Sequence, residues 1–320
     1  MVFKLGIVNF HYIRENFPPS GIHGVTPQFF LQQLEMISKS GFEFISLDQL
    51  LAAIENTTVS LLPEKSCLVT FDDGLRESYE IGKSLLDDLS IPGGYFICSG
   101  PYMNFRMLKV HKLHAIYQVL EPREIINSLE GSILRSFNKL ERHIIEKQYP
   151  WDSYDLSRIK FLFNFALDDY SLAETLSNLF RLAGIDEMKL VNTLYMTLDQ
   201  IKELGIRKEL GSHTISHAPL AKLNVDSLPH ELSQSRYFLE TLSLSPVKSI
   251  AYPYGGPSSI NRDVISQAKE SGYACGFTMN RDFNSELDIL ERPLELSRFD
   301  TNDFIGGKTH GNYLDLFNDD

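Results

Sequence analysis

The sequence predicts an α/β protein built on a largely parallel sheet, and three observations predict it. Short β-like runs alternate with amphipathic helical stretches along most of the chain, the rhythm of strands joined by crossover helices. The run CLVTF, an Asp-Asp-Gly loop, the stretch RESYEIGKSLLDDLS and the run GGYFICS make one complete strand, loop, helix, strand unit. The first helix also carries its own start and stop signals.

The chain opens on FKLGIVNF, read as the first strand, followed by a polar Pro/Gly-containing loop from Arg14 to Gly24. In VTPQFFLQQLEMISKSG, Thr26 is the N-cap, Pro27 takes the first helical position and Gly41 stops the helix. FEFIS reads as a strand, LDQLLAAIE as a short helix, and CLVTF as a strand delivered by a loop. Ile81, Leu85, Leu86 and Leu89 line one face of the next helix. From about Pro101 to Met188 the pattern changes to helical stretches such as HKLHAIYQVL, EIINSLEGSILRSFNKLERHIIEK and SLAETLSNLFRLAGI, with no clear strand between them. This segment, 101–188, reads as a helical insertion within one domain spanning 1–320. The α/β rhythm then resumes with TLDQIKELG, the strand-like KELGSH, the helix DSLPHELSQSRYFLETL, the strand KSIAYPY, the helix NRDVISQAKESG and the strand YACGFTM.

Composition narrows the partners. A hydrophobic content of 43% over 320 residues is enough for a large core. A formal charge of -12 has the wrong sign for nucleic acid or an anionic membrane surface and favours a neutral or cationic substrate. The N-terminus lacks a cleavage site, and Gly6 and Asn9 interrupt its apolar run, so the reading is of a strand and of a cytoplasmic enzyme. No run approaches the roughly 18 apolar residues of a membrane span. Cys67, Cys98 and Cys275 are scattered singly, which argues against a disulfide framework or a structural zinc site.

Two clusters carry the chemistry. Asp72-Asp73-Gly74 on its own is a common turn. Behind the apolar CLVTF, however, it sits at the carboxyl end of a buried strand, where α/β folds place their sites. Successive residues there can point in different directions, so one carboxylate can bind a metal while the other accepts a proton. His213 and His217 are four positions apart, which on a helical turn would bring both imidazoles to one side. Such a pair suits Zn, Co, Ni or Fe better than Mg or Ca, and equally suits a surface or capping role. Two imidazoles and one carboxylate leave room for water, whose pKa a metal would lower towards about 7.

These residues resemble the polysaccharide deacetylases, also called NodB-like deacetylases or carbohydrate esterase family 4. Thr70-Phe71-Asp72-Asp73-Gly74 is similar to the family's first motif, His213-Thr214-Ile215-Ser216-His217 to its second, and Ala251-Tyr252-Pro253-Tyr254-Gly255 to one variant of its third. The resemblance runs from the first strand to about Phe299, apart from the insertion. It implies a distorted (β/α) barrel of about seven strands that removes an N-acetyl group from an amino sugar or oligosaccharide. It further implies Asp72 as general base, with Asp73, His213 and His217 as ligands of one divalent metal, zinc in the first place and cobalt or nickel as alternatives. The backbone N–H of Tyr254 would help to hold the oxyanion.

Two departures bear on the proton donor. Ile250 and Ala251 occupy the stretch where many members carry an Arg, and the usual Leu-x-His triplet is missing near the C-terminus. A circularly rearranged subgroup, resembling the poly-N-acetylglucosamine deacetylases, supplies that His from the first strand. Asn9-Phe10-His11-Tyr12-Ile13 looks like that arrangement and makes His11 the candidate acid, beside the plainer reading of a His that ends a strand. His23 is a competitor. Arg298 resembles an Arg of the same subgroup that would orient Asp72, with Arg292 close by in sequence. The chemistry fits an amidohydrolase or deformylase on another N-acyl substrate as well, and a binding protein with a vestigial metal site is the reading from another class. Phe161, Phe163 and Phe165 read as insertion core, Trp151 as an interhelix plug, and Asp168-Asp169 as solvated.

Overall fold

The computed structural model describes residues 3–17, 22, 24–149, 152–307 and 317. His23 and Trp151, both singled out above, lie outside the described residues. The chain divides into two compact units. The first comprises Met1–Glu15, Gly24–Arg106 and Val191–Asp320, and the second Asn16–His23 and Met107–Leu190.

The first unit is built on a parallel sheet. Its strands are β1 (Lys4–Phe10), β4 (Glu43–Phe44), β5 (Lys65–Phe71), β6 (Gly93–Ile97), β7 (Leu210–Ser212), β8 (Ser249–Ala251), β9 (Cys275–Phe277) and β10 (Phe299–Asp300); β2 (Tyr12–Ile13) and β3 (Gly24–Val25) form a separate parallel pair. The order is β10-β1-β5-β6-β7-β8-β9, seven strands in one path. The short β4 pairs with the N-terminal part of β5 at Ser66 and Cys67, leaving Val69–Phe71 to β6. Beyond β9 the ring continues through Leu296, whose N–H donates to Gly276 O at 2.8 Å and whose carbonyl accepts from Thr278 N at 2.7 Å. This is the α/β distorted barrel that the resemblance implied.

Near-continuous apolar runs in β1 and β5 follow from burial on both faces. Val8 and Phe10 of β1 join one core cluster with Phe30, Leu34 and Phe71, while Leu5 and Ile7 point the other way to Leu47, Leu50, Leu68 and Phe96. Phe71 lies flat on Tyr95, ring centroids 4.9 Å apart, and 5.6 Å from Phe10. Truncating such a ring typically costs about 3–5 kcal/mol, so Phe71 firmly anchors the point at which the chain leaves the sheet as Asp72.

Helix punctuation was legible: Thr26 caps Pro27–Lys39 by accepting from Phe29 N, and Ser46 and Thr197 form capping boxes with Gln49 and Gln200. Elsewhere the structure is more broken than periodicity suggests. FEFIS contributes two strand residues, and β7, β8 and β9 three each. The helix read over DSLPHELSQSRYFLETL is three consecutive pieces, a 3-10 turn at Val225–Ser227, a π-helical stretch at His230–Gln234 and an α-helix at Ser235–Ser243.

In the second unit every named element among the described residues is helical. The stretch read as EIINSLEGSILRSFNKLERHIIEK is three short helices, Pro122–Asn127, Gly131–Asn138 and Arg142–Gln148. Glu130 is extended, Gly131 enters the second helix at φ +54°, and Glu141 is extended before the third. Phe163 is buried in this unit, and the Phe161 and Phe165 rings pack 5.3 Å apart. Asp168 caps the helix Asp169–Ala183 by accepting from Ser171 N at 2.9 Å. No helix among the described residues is long and apolar enough to cross a membrane.

Candidate active site

Because every pairing in the main sheet is parallel, the carboxyl ends of β1, β5, β7, β8 and β9 face the same way, and the motif residues follow those ends. They line a cavity of about 380 Å³ bounded by Asn9, His11, Asp72, His213, His217, Tyr254 and Arg298, with Met279, Arg281 and Asp300 also on its wall. Asp73 is not on this wall but lies within 3.5 Å of both imidazoles.

The two aspartates leave β5 in different directions because the backbone turns sharply between them. Asp72 is hydrogen-bonded to the sheet, its N–H donating to Phe10 O at 3.1 Å, whereas Asp73 adopts φ +74°. Asp72 is then held by its neighbours. Arg298 donates from Nη1 to Oδ1 at 2.9 Å and from Nη2 to Oδ2 at 2.8 Å, and Asn9 Nδ2 donates to Oδ2 at 3.0 Å. Arg298 is itself fully buried and donates from Nε to Thr278 O. Burial alone would raise the Asp72 carboxyl; the charges of Arg298 and His213, the Arg298 hydrogen bonds and His11 outweigh it and hold the carboxyl below the usual carboxylate range.

Asp73 faces the histidines. Its Oδ1 is 3.5 Å from His213 Nε2 and 3.3 Å from His217 Nε2. His213 Nδ1 is 2.7 Å from Ala251 O, and a carbonyl only accepts, so Nδ1 carries a proton and Nε2 is the nitrogen turned to Asp73; in the neutral ring it presents a lone pair. A carboxylate oxygen and two imidazole nitrogens thus converge, a donor set that suits a divalent cation such as zinc. Tetrahedral zinc with ligands at about 2.0–2.1 Å requires ligand separations of about 3.3 Å, and the two Asp73–imidazole separations match it.

The histidines do not sit on a helical turn, as their spacing suggested. His213 directly follows β7, and the loop then passes through left-handed positions at Thr214, φ +66°, and His217, φ +58°. Thr214 Oγ1 accepts from His217 N at 3.3 Å. Non-glycine residues in this region carry strain that surrounding contacts must hold, and here Asp73, Thr214, His217 and Tyr254 all adopt it.

Tyr254 lies at φ +62°, with its ring 5.0 Å from that of His217. The following Gly255 is also left-handed, and a Cβ there would come within 2.6 Å of Met279 N. His11 lies on the cavity wall just past β1. Arg292, the alternative to Arg298, instead pairs with Asp288 on its own helix turn.

Three neighbours were not identified from the sequence. Asn9 is a buried amide in an otherwise apolar strand, which is a readable signal of a polar contact. Glu231 Oε2 accepts from both Ile215 N and Ser216 N at 3.0 Å, and nothing in the local pattern points to it. Cys98 lies close enough to Asp73 and His213 to make a second possible donor set. Its Sγ donates to His213 O at 3.0 Å, and burial, followed by the charges of Asp73, Asp72 and Glu231, pushes the thiol well up. Through this bond the thiol braces the His213 end of the loop.

This arrangement defines a hydrolase site of the kind that activates water against an acyl carbonyl. Residues 188–276 match the polysaccharide deacetylase family model. No curated protein matches the chain. Among solved structures, the chain is similar to the Streptococcus pyogenes deacetylase PplD in complex with acetate, with 18% identity, 94% of this chain and 93% of the other covered, and a TM-score of 0.58. It is also similar to IcaB from Ammonifex degensii, with 13% identity, 99% and 98% covered, and a TM-score of 0.57. A de-N-acetylase from Aggregatibacter actinomycetemcomitans matches at 16% identity, 97% and 99% covered, and a TM-score of 0.56. At these identities the structural likeness speaks to the fold. The family model covers residues 188–276, the stretch that holds the second and third motifs, and the fold around it is of the NodB-like kind; both support a carbohydrate N-deacetylase.

Proposed function

We propose that the protein removes the N-acetyl group of an amino sugar through unequal roles of the paired aspartates. The observation that carries this reading is that Asp72 is tied to Arg298 while Asp73 faces both imidazoles. Asp73, His213 and His217 would hold one divalent ion, zinc in first place. Bound there, the ion supplies Lewis-acid polarisation of the acyl carbonyl and acidifies water.

The remaining work falls to the chain. Asp72 takes the proton of the attacking water; Oδ2 already accepts from two donors and Oδ1 from one, which leaves Oδ1 the freer acceptor. Arg298 fixes the plane of that carboxylate and keeps it ionised. The N–H of Tyr254 donates to the oxygen that becomes negative as water adds. His11, protonated, gives its proton to the departing amine nitrogen, and acetate and the free amine are released.

We take 101–188 as an insertion within one deacetylase domain; in support, β6 before it and β7 after it are direct neighbours in the sheet. A cytoplasmic location with a sugar precursor as substrate is proposed with it, supported by three buried, unpaired cysteines and tested by cell fractionation. Metal analysis with acetate release from N-acetylated oligosaccharides tests the reaction. A metal-loaded protein that releases formate, or that hydrolyses only non-sugar amides, would move the substrate to the alternative class. One that turns over no amide would leave a binding protein.

A further inference from the structure

The loop that carries both candidate histidine ligands is strained at Thr214 and His217, so something outside it must hold its shape. The π-helical stretch His230–Gln234 and the residue after it supply two contacts. One oxygen of Glu231, Oε2, accepts from the N–H groups of Ile215 and Ser216, both at 3.0 Å. Ser235 Oγ donates to Thr214 O at 3.0 Å and lies 3.0 Å from Ser212 Oγ. From the other side, Ser99 N and Gly100 N donate to Thr214 O and Ile215 O, each at 3.0 Å. These last contacts are made by backbone or hydroxyl; the Glu231 pair is the one held by a charged side chain. The two amides it binds are those directly preceding His217, so their positions set where that imidazole projects.

We propose that Glu231 is a positioning residue for the His213–His217 loop, clamping the Ile215 and Ser216 amides and thereby setting the affinity of the site for its divalent ion. The clamp touches neither substrate nor ion. Hydrogen bonds to a carboxylate are roughly twice as strong as neutral ones, and loss of a group that orients metal ligands typically costs 10–100-fold in metal affinity. Since a single oxygen makes both bonds, the amide oxygen of glutamine can replace it, whereas leucine cannot.

The inference rests on the reading of His213 and His217 as metal ligands, so the test has two separate readouts. Zinc dissociation constants are measured by chelator competition on wild type, Glu231→Gln and Glu231→Leu. Amide exchange at Ile215 and Ser216 is followed in the same proteins without metal. Glu231→Leu should raise the zinc Kd tenfold or more and speed exchange at both amides, while Glu231→Gln, whose neutral amide oxygen makes the same two bonds at roughly half the strength, shifts both readouts in the same direction by less. If Glu231→Leu does not fold, Glu231→Asp, which withdraws the oxygen by one methylene, should shift both readouts in the same direction. A folded Glu231→Leu protein with wild-type Kd and wild-type exchange overturns the proposal, as does Glu231→Gln losing as much as Glu231→Leu. If wild type takes up no zinc, the ligand reading falls, and the exchange data alone decide whether Glu231 clamps the loop.

Discussion

Arg298 grips Asp72 with two hydrogen bonds, Nη1 to Oδ1 at 2.9 Å and Nη2 to Oδ2 at 2.8 Å, between residues 226 positions apart in the chain. Both side chains are buried, so removing either leaves the other charge without its compensating partner. Arg298→Met should lower stability by about 3–5 kcal/mol and release the Asp72 carboxyl from its depression, moving the acid limb of kcat/KM to higher pH. Arg298→Lys keeps the charge without the fork and should recover stability better than rate. The linkage sign follows from the direction of the shift. A carboxyl held lower in the folded protein stabilises it above the ordinary carboxylate pKa of about 3.9, and that stability is lost as pH falls through the folded value. Denaturation midpoints from pH 3 to 7 in wild type and Arg298→Met check it: an unchanged pH dependence would contradict the pairing.

Asp72→Asn preserves shape and removes the proton acceptor. Turnover should drop by roughly 10²–10⁴-fold, with zinc content unchanged by atomic absorption. Loss of the metal along with the activity would mean that Asp72, not Asp73 alone, is a ligand.

His213→Ala removes a lone pair that points at Asp73, and should abolish both metal content and activity, with no rescue by millimolar zinc. His11→Ala should keep its metal and lose about 10²-fold or more in kcat. Near-normal turnover of His11→Ala across the pH range would send the search for the proton donor elsewhere on the cavity wall.

Gly100 lies directly against the histidine loop, and a Cβ there would come within 2.4 Å of Ile215 O, a backbone atom with little room to yield. Gly100→Ala should therefore cost about 1–3 kcal/mol and weaken zinc binding by shifting the loop. Thermal melts with and without zinc separate the two effects; a variant with wild-type melting in both conditions would show that the loop gives way without cost.

Much of this protein was legible residue by residue. The βαβ rhythm predicted the parallel sheet, and contiguous motifs picked out Asp72, His213 and His217, which line one cavity, and Asp73, which lies 3.5 and 3.3 Å from the two imidazoles. Legibility stopped where the backbone departs from regular periods. The histidine pair reads as one helical turn by spacing, yet its loop is bent through left-handed positions that contacts with Glu231, Ser235, Ser99 and Gly100 help to sustain. Likewise EIINSLEGSILRSFNKLERHIIEK has helical composition throughout, and the extended residues Glu130 and Glu141 divide it.

The sequence by itself determined the fold class and the chemical inventory, because apolar periodicity and short motifs are local and survive being read as a string. The tertiary structure decided how that inventory is used. Asp72 is separated from Asp73 in role by Arg298 and by Asn9, 63 positions away, and the choice of Arg298 over Arg292 follows from which guanidinium reaches the buried carboxylate. Such choices depend on distances across the barrel. A buried charge must find its partner in space, and the chain order of the two says nothing about it.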